Sequence, residues 1–272
     1  MGRLALLLSL PPVLRGLAAM ALCGATFPLC GVAVLRLDLV PLRYTLMHGV
    51  LLGGALAMAL GLPVAPAAIA ANLLLVLLLV AAAPSPERGL GAGSAAAMVV
   101  GMALASLVMH VAGVPAKDAL ELLWGSPFAL GTADLAALAL LAAALVLAAL
   151  LRFQSLLALF FNADIAQAAG VPVRRFRAAL VAAVAIVVAA GMKLLGAFLV
   201  DAALLLPVLC ATALLRWRGR AGIRSLCRLS CALGFVFCVA GYLLAVAVDW
   251  PPAATVGLLG GAAYLATLLL HR

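Results

Sequence analysis

Long apolar segments occupy nearly the whole chain, and short stretches with charged residues, glycine or proline separate them. The segments are continuous and rich in Ala and Leu, without the two-residue alternation that the strands of a membrane barrel need. A helix of about 20 apolar residues crosses the hydrocarbon core of a bilayer. The pattern therefore predicts membrane-spanning helices. The candidate spans are 13–35, 42–60, 66–83, 90–111, 133–151, 178–190, 194–215, 229–248 and 253–270.

The sixth of these spans, 178–190, is short and runs almost directly into the seventh. We therefore expect an all-α transmembrane bundle of eight or nine spans that forms a single domain over residues 1–272. Composition supports this class, since 69% of the residues are hydrophobic and only 9% are charged. A soluble domain is roughly 25% charged, and a water-soluble fold of this size could not bury so much apolar surface.

The net charge of +9 suggests nucleic-acid binding at first sight, but the basic residues lie between apolar segments, where they set membrane topology. We therefore expect contact with lipid and none with nucleic acid. If the basic loop 216–228 is cytoplasmic, alternation of the nine spans puts only four of the seventeen basic residues outside. The pattern predicts an external N-terminus and a cytoplasmic C-terminus. The four external residues are Arg3, Arg15, Lys117 and Lys193.

Residues 152–177 interrupt the apolar pattern with an amphipathic stretch that contains Asn162 and Asp164. The stretch is too polar to span a membrane, and Gly170 followed by Pro172 would end a helix there. Two interpretations remain open: a cytoplasmic element that docks a soluble partner, or an interfacial helix that only anchors the chain. The phosphate-binding pattern GxxxxGK[ST] does not occur in the sequence, so an ATPase would have to be another chain.

Polar residues within the spans are candidates for transport, because a charge at the bilayer centre costs about 2.5–3.5 kcal/mol on insertion scales. Asp201 is the clearest case. His48 lies in the second span with Tyr44 one turn before it on the same face. Histidine binds metals and carries protons, although a single histidine in a span can also be a hydrogen-bonded packing residue. The glycines Gly49 and Gly53 would allow a neighbouring helix to approach closely.

Several of these segments resemble the permease subunits of ABC importers for zinc, manganese or iron. The run FNADIAQAAGVPV at 161–173 is similar to the cytoplasmic coupling helix of that family. TLMHGVLLGGALAMALG at 45–61 and GMKLLGAFLVDAALLLPVLCATALL at 191–215 resemble further family segments. The likeness extends over about residues 13–270.

The resemblance implies a homodimer of permeases in the bacterial inner membrane, with two cytoplasmic ATP-binding subunits and an extracytoplasmic metal-binding protein. The permease would not be an enzyme and would hold no permanent cofactor, since the divalent metal is its substrate. The resemblance also implies that 155–172 contains the coupling helix, which favours the docking interpretation. The residues expected to couple to the ATPase are Asn162, Asp164, Ala168, Gly170 and Val171.

The chain departs from the family pattern around His48. Tyr44 replaces an Asp, Met47 replaces a Ser, and Asp201 stands where the family usually has a small residue. An Asp–His pair suits divalent metals better than a Tyr–His pair. Our hypothesis is that His48 keeps a role in the pathway, beside Tyr44, and that Asp201 supplies the missing carboxylate from another helix.

Three alternatives remain beside a metal-ion importer. The same architecture could import a metal chelate or another small solute. A proton-coupled transporter would need no ATPase. An intramembrane enzyme would need a convergent set of acid, base or metal ligands, and His48 and Asp201 alone are a small set for that chemistry.

Overall fold

The structure is a computed structural model that describes residues 9–82, 90–115, 125–217 and 222–269. Regular structure in these ranges is entirely helical, which confirms the all-α polytopic fold. Arg3, Lys117 and part of the 216–228 loop lie outside the described residues. The α-helices are α1 (Pro11–Arg36), α2 (Val40–Leu60), α3 (Val64–Ala82), α4 (Leu90–Val111), α5 (Thr132–Leu151), α6 (Phe153–Phe161), α7 (Ala163–Ala168), α8 (Val173–Leu195), α9 (Ala197–Trp217), α10 (Ile223–Val248) and α11 (Pro252–Leu269).

Seven helices of the described part are long and apolar enough to cross a membrane, judged by length and composition. They are α1, α4, α5, α8, α9, α10 and α11. The second and third predicted spans correspond to α2 and α3. Helix α3 contributes a shorter apolar stretch, Val64–Leu79, while α2 carries Arg43 near its start. The number of crossings, eight or nine, stays a prediction.

The bounds predicted for the sixth span were wrong. Helix α8 begins at Val173 and ends at Leu195, so its 23 residues are long enough to cross a bilayer. Its first turn contains Arg174 and Arg175, which are exposed. Hydropathy placed these arginines in the polar stretch 152–177 outside the span, but a long basic side chain at a helix end can keep its charge in water while the backbone stays helical.

The polar stretch before α8 forms two short helices where the sequence suggested one. Helix α6 ends at Phe161 and α7 begins at Ala163, with Asn162 in extended backbone between them. Asn favours such a break because its side chain competes for nearby backbone N–H groups. The predicted coupling region 155–172 therefore contains two helical elements and a sharp change of direction at Asn162.

The chain divides into two compact units. Unit 1 comprises Met1–Val32, Ser126–Arg152 and Leu194–Arg272, and unit 2 comprises Ala33–Gly125 and Phe153–Lys193. Unit 2 thus contains both α2, with Tyr44 and His48, and the polar segment with α6 and α7. Asp201 belongs to unit 1.

Unit 1 is built on close helix crossings at glycine. A Cβ on Gly24 of α1 would collide with the backbone carbonyl of Gly234 on α10, so both positions need the smallest residue. Near the start of α1, the fully buried Tyr242 donates its hydroxyl to the carbonyl of Val13 over 2.9 Å. The Tyr242 ring lies 5.5 Å from that of Phe128, between ring centroids.

In unit 2, α2 packs against both α3 and α4. A Cβ on Gly53 would lie 2.8 Å from the Cα of Ala68, and one on Gly49 would collide with the side-chain oxygen of Asn72. On the α4 side, the Thr45 hydroxyl donates to the carbonyl of Ser94 over 2.6 Å. These contacts hold the helix that carries His48 between two neighbours.

Candidate translocation site and coupling surface

His48 and Tyr44 lie one turn apart on α2, and a hydrogen bond connects them. The Nδ1 atom of His48 is 2.7 Å from the backbone carbonyl oxygen of Tyr44. A carbonyl only accepts, so Nδ1 is the donor of this bond, and in the neutral tautomer that fits it the lone pair is on Nε2. Histidine ligands of metals are typically oriented in this way, with the second ring nitrogen donating to a carbonyl or carboxylate. The half-buried His48 is therefore prepared to offer Nε2 to a cation.

Tyr44 is a weaker candidate because of its neighbour Arg43. The guanidinium carbon of Arg43 lies 4.2 Å from the centroid of the Tyr44 ring, a cation–π arrangement. Arg43 is buried, only 1% exposed, and its Nη1 also lies 3.7 Å from the sulfur of Met47. A fixed positive charge at this distance repels a metal cation that approaches the Tyr44 hydroxyl. The side chain of Met47, the residue before His48, thus contacts Arg43.

Asp201 lies five residues into α9 and is half-buried, six residues before the buried Pro207. It belongs to unit 1, whereas His48 and Tyr44 belong to unit 2. A joint site of His48 and Asp201 stays a prediction. In the described ranges, no group of three or more His, Cys, Asp or Glu residues is arranged to hold a metal ion.

Sequence patterns did not single out three polar residues near His48: Arg43, Asn72 and Ser94. Asn72 is the single polar side chain in the apolar helix α3, and that isolation was a signal visible in the sequence. Its side chain and that of Ser94 are fully buried, and the polar atoms of both have no hydrogen-bond partner among the described residues. Polar side chains in spans usually pair across helices. Asn72 instead packs its oxygen against Gly49, the residue after His48.

The second candidate region is the polar segment of unit 2. The side-chain oxygen of Asn162 accepts hydrogen bonds from the backbone N–H groups of Asp164 (2.6 Å) and Ile165 (3.3 Å), which caps α7. The helix ends at Ala168, and Gly170 follows with φ of +80°, a conformation that favours glycine.

The surface of this segment combines polar and apolar side chains. Phe161, the last residue of α6, is 76% exposed, and Ile165 in α7 is 51% exposed. Asn162, Asp164, Ala168 and Gly170 are exposed as well, and Val171 is half-buried. An exposed aromatic and an exposed aliphatic residue surrounded by polar groups are typical of a protein docking surface.

The sequence model of a transport family, described as the ABC 3 transport family, matches residues 10–271. The match covers nearly the whole chain. The protein belongs to the ABC 3 transport family. It is therefore a multi-span membrane permease of ABC type, and the family predicted from the quoted segments is confirmed.

The chain is also similar to another membrane protein. An uncharacterized membrane protein of Synechocystis is 27% identical over 173 residues, which cover 64% of this chain and 60% of that protein. The match thus spans three-fifths of the relative's length.

Two solved structures share the fold. PsaBC from Streptococcus pneumoniae in complex with Fab matches with a TM-score of 0.81 and 21% identity, over 96% of this chain and 92% of that chain. A chain described as part of a metal-chelate type ABC transporter in an inward-facing conformation matches with a TM-score of 0.71 and 19% identity, over 94% and 85%.

Proposed function

We propose that this ABC 3 permease is the membrane subunit of an ATP-driven importer of divalent metal ions, zinc or manganese first, in the bacterial inner membrane. It works as a homodimer with two cytoplasmic ATP-binding chains, and an extracytoplasmic binding protein delivers the metal. The observation that carries the proposal is the orientation of His48, whose Nδ1 donates to the Tyr44 carbonyl and whose Nε2 is left for a cation.

The imidazole nitrogen is a ligand that suits zinc and other divalent first-row metals. A permease needs weak binding, because an ion that enters the pathway must also leave it. One oriented histidine without a cluster of three ligands in the described part of the chain meets this requirement. In a homodimer each candidate ligand, His48 and Asp201 included, is present twice.

The proposed mechanism is alternating access. With the N-terminus outside and the C-terminus in the cytoplasm, the segment with α6 and α7 faces the ATP-binding chains. Closure of those chains on ATP presses on the exposed Phe161, Ile165 and Asp164, and unit 2 moves in response. The permease itself makes and breaks no bonds, since ATP hydrolysis takes place on the partner chains.

The test is uptake into proteoliposomes that contain the permease, its ATP-binding chain and its binding protein, with zinc, manganese and iron offered separately. We expect His48→Ala to lower uptake at least about tenfold, the usual cost of disturbing a metal ligand's environment. The exposed His110 on α4 provides the control, since His110→Ala should leave uptake unchanged. Wild-type uptake in both His48→Ala and Asp201→Ala, at matched protein levels, would contradict the proposed pathway.

The import of a metal chelate is a second candidate, because the chain shares its fold with a chain described as part of a metal-chelate type ABC transporter. A chelated metal has its coordination sites filled and needs no protein ligand. The same vesicles should then accumulate a metal–chelator complex in preference to the free ion. Under this function His48→Ala would leave uptake of the complex unchanged, which separates it from free-ion import.

A further inference from the structure

Arg177 connects the start of α8 to the end of α1, two places that are far apart in the sequence. Its Nη2 donates to the backbone carbonyl of Leu37 over 3.4 Å. Arg177 is half-buried, and its Nε is buried without a hydrogen-bond partner among the described residues. The neighbouring Arg174 and Arg175 are exposed. Arg177 therefore differs from its exposed neighbours, because it is half-buried and bonded to a distant part of the chain.

The Leu37 carbonyl belongs to the turn that ends α1. The N–H of Leu37 donates to the carbonyl of Ala33 over 3.0 Å, and that of Leu39 donates to Val34 over 2.8 Å. The last carbonyls of a helix carry partial negative charge, so a guanidinium is attracted to them. Arg177 thus caps α1 and holds the turn that leads to α2.

This turn is short and stiff. Residues 37–39 contain no glycine, Leu37 and Leu39 are buried, and Asp38 has a left-handed backbone with φ of +53°. The N–H of Arg43 donates to the carbonyl of Leu39 over 3.0 Å, which continues the helical bonding into α2. His48 lies eight residues beyond Val40, about 12 Å along the helix axis. The helical hydrogen bonding of α2 therefore gives a continuous connection from the turn to His48.

The coupling segment is joined to Arg177 through the chain. Helix α7 ends at Ala168, and Arg177 lies nine residues later, inside α8. The α1–α2 turn, His48, the coupling segment and Arg177 all belong to unit 2. We propose that Arg177 is the positioning residue that transmits movement of the coupling segment to the α1–α2 turn and through it to His48. This inference rests on the proposed function.

The experiment compares metal moved per ATP hydrolysed in proteoliposomes of the full transporter. Arg177→Gln should keep ATP hydrolysis near the wild-type rate but lower the ratio of metal to ATP by about fivefold or more, the size of a typical coupling between sites. Arg177→Lys, which keeps one charged donor, should recover part of the ratio. Arg174→Gln and Arg175→Gln are matched controls on the same turn and should keep it. An unchanged ratio in Arg177→Gln, or an equal loss in Arg174→Gln, overturns the proposal.

A second variant covers the case in which Arg177→Gln does not assemble. Asp38→Gly keeps the Arg177 contact and accepts the left-handed backbone, but it makes the turn flexible. We expect it to assemble and to lower the same ratio. A wild-type ratio in Asp38→Gly overturns the proposal.

A readout that needs no substrate separates this inference from the proposed function. Hydrogen exchange of residues 40–48 should change when ATP is added to the wild-type complex, and this change should be lost in Arg177→Gln and kept in Arg174→Gln. If the wild type shows the change but moves none of the metals, the proposed function fails and the coupling role stands. If Arg177→Gln keeps the change, the coupling role fails whatever the substrate is.

Discussion

The close approach of α2 and α3 at Gly49 leads to a quantitative prediction. A Cβ at this position would collide with the side-chain oxygen of Asn72 and lie 3.1 Å from a terminal carbon of Leu75. Asn72 is fully buried, so a shift of its side chain would have to displace packed neighbours. Overpacking of this kind costs about 1–3 kcal/mol, while Ala in place of Gly in a helix gains up to about 1 kcal/mol. We expect Gly49→Ala to be destabilising, because the steric term exceeds the propensity term.

The Asn72→Ala background isolates the collision. That substitution removes the oxygen that a Cβ at Gly49 would meet, and it also removes two buried polar atoms without partners among the described residues. Burying such an atom unpaired costs about 1–3 kcal/mol, so Asn72→Ala alone should cost little despite the space it leaves. In this background Gly49→Ala should cost less than in the natural chain, by about 0.5–3 kcal/mol of coupling between neighbours.

The assay is thermostability in detergent, measured as the fraction of protein that stays monodisperse on size exclusion after heating. Gly101→Ala on α4 is the matched control, because a Cβ there meets nothing within 4 Å. It should be neutral or slightly stabilising. The reasoning is refuted if Gly49→Ala costs the same with and without Asn72, or if it is no worse than Gly101→Ala.

Three further predictions concern single contacts. Asn162→Ala removes the cap of α7, at a cost of about 1 kcal/mol of local stability. It should weaken binding of the ATP-binding chain in a pull-down, whereas substitution of the exposed Gln167 by Ala should not. Equal binding by the two variants would count against the docking surface. Gly170→Ala places a side chain on a backbone with φ of +80°, which costs about 1–2 kcal/mol. It should also reduce binding of the ATP-binding chain. Unaltered binding would show that the turn adjusts freely. Tyr242→Phe loses the hydrogen bond from the tyrosine hydroxyl to the Val13 carbonyl. It should lower the free energy of unfolding by about 0.5–1.5 kcal/mol without changing uptake per folded protein. An unchanged melting point would mean that this hydrogen bond contributes nothing to stability.

The start of helix α8 could not be predicted from hydropathy. Apolar periodicity located the helix but not its start, because Arg174 and Arg175 were placed in the preceding polar stretch 152–177. Hydropathy measures the preference of side chains for lipid, whereas the end of a helix is decided by backbone hydrogen bonds and capping groups. In the segment before it, the sequence did contain the signal for a break, since Asn162 is a preferred capping residue.

Amino-acid sequence alone determined the class and the family. Apolar segments of about 20 residues have no stable solution other than helices in lipid, and the runs around His48, Asn162 and Asp201 were sufficient to predict the permease family that was confirmed. The local bond from His48 to Tyr44 also follows from helix geometry, because the two residues are four apart.

Tertiary structure decided which polar residues act together. The Arg177–Leu37 bond joins positions 140 residues apart, and the contact of Asn72 with Gly49 depends on how two separate helices cross. No local pattern encodes such pairs, since helices of similar apolar composition can pack in many registers and only the fit of small and large side chains selects one. The sequence predicted His48 in a membrane span, and the packing of unit 2 placed Asn72 against Gly49 of the same helix and Arg177 against the turn that precedes it.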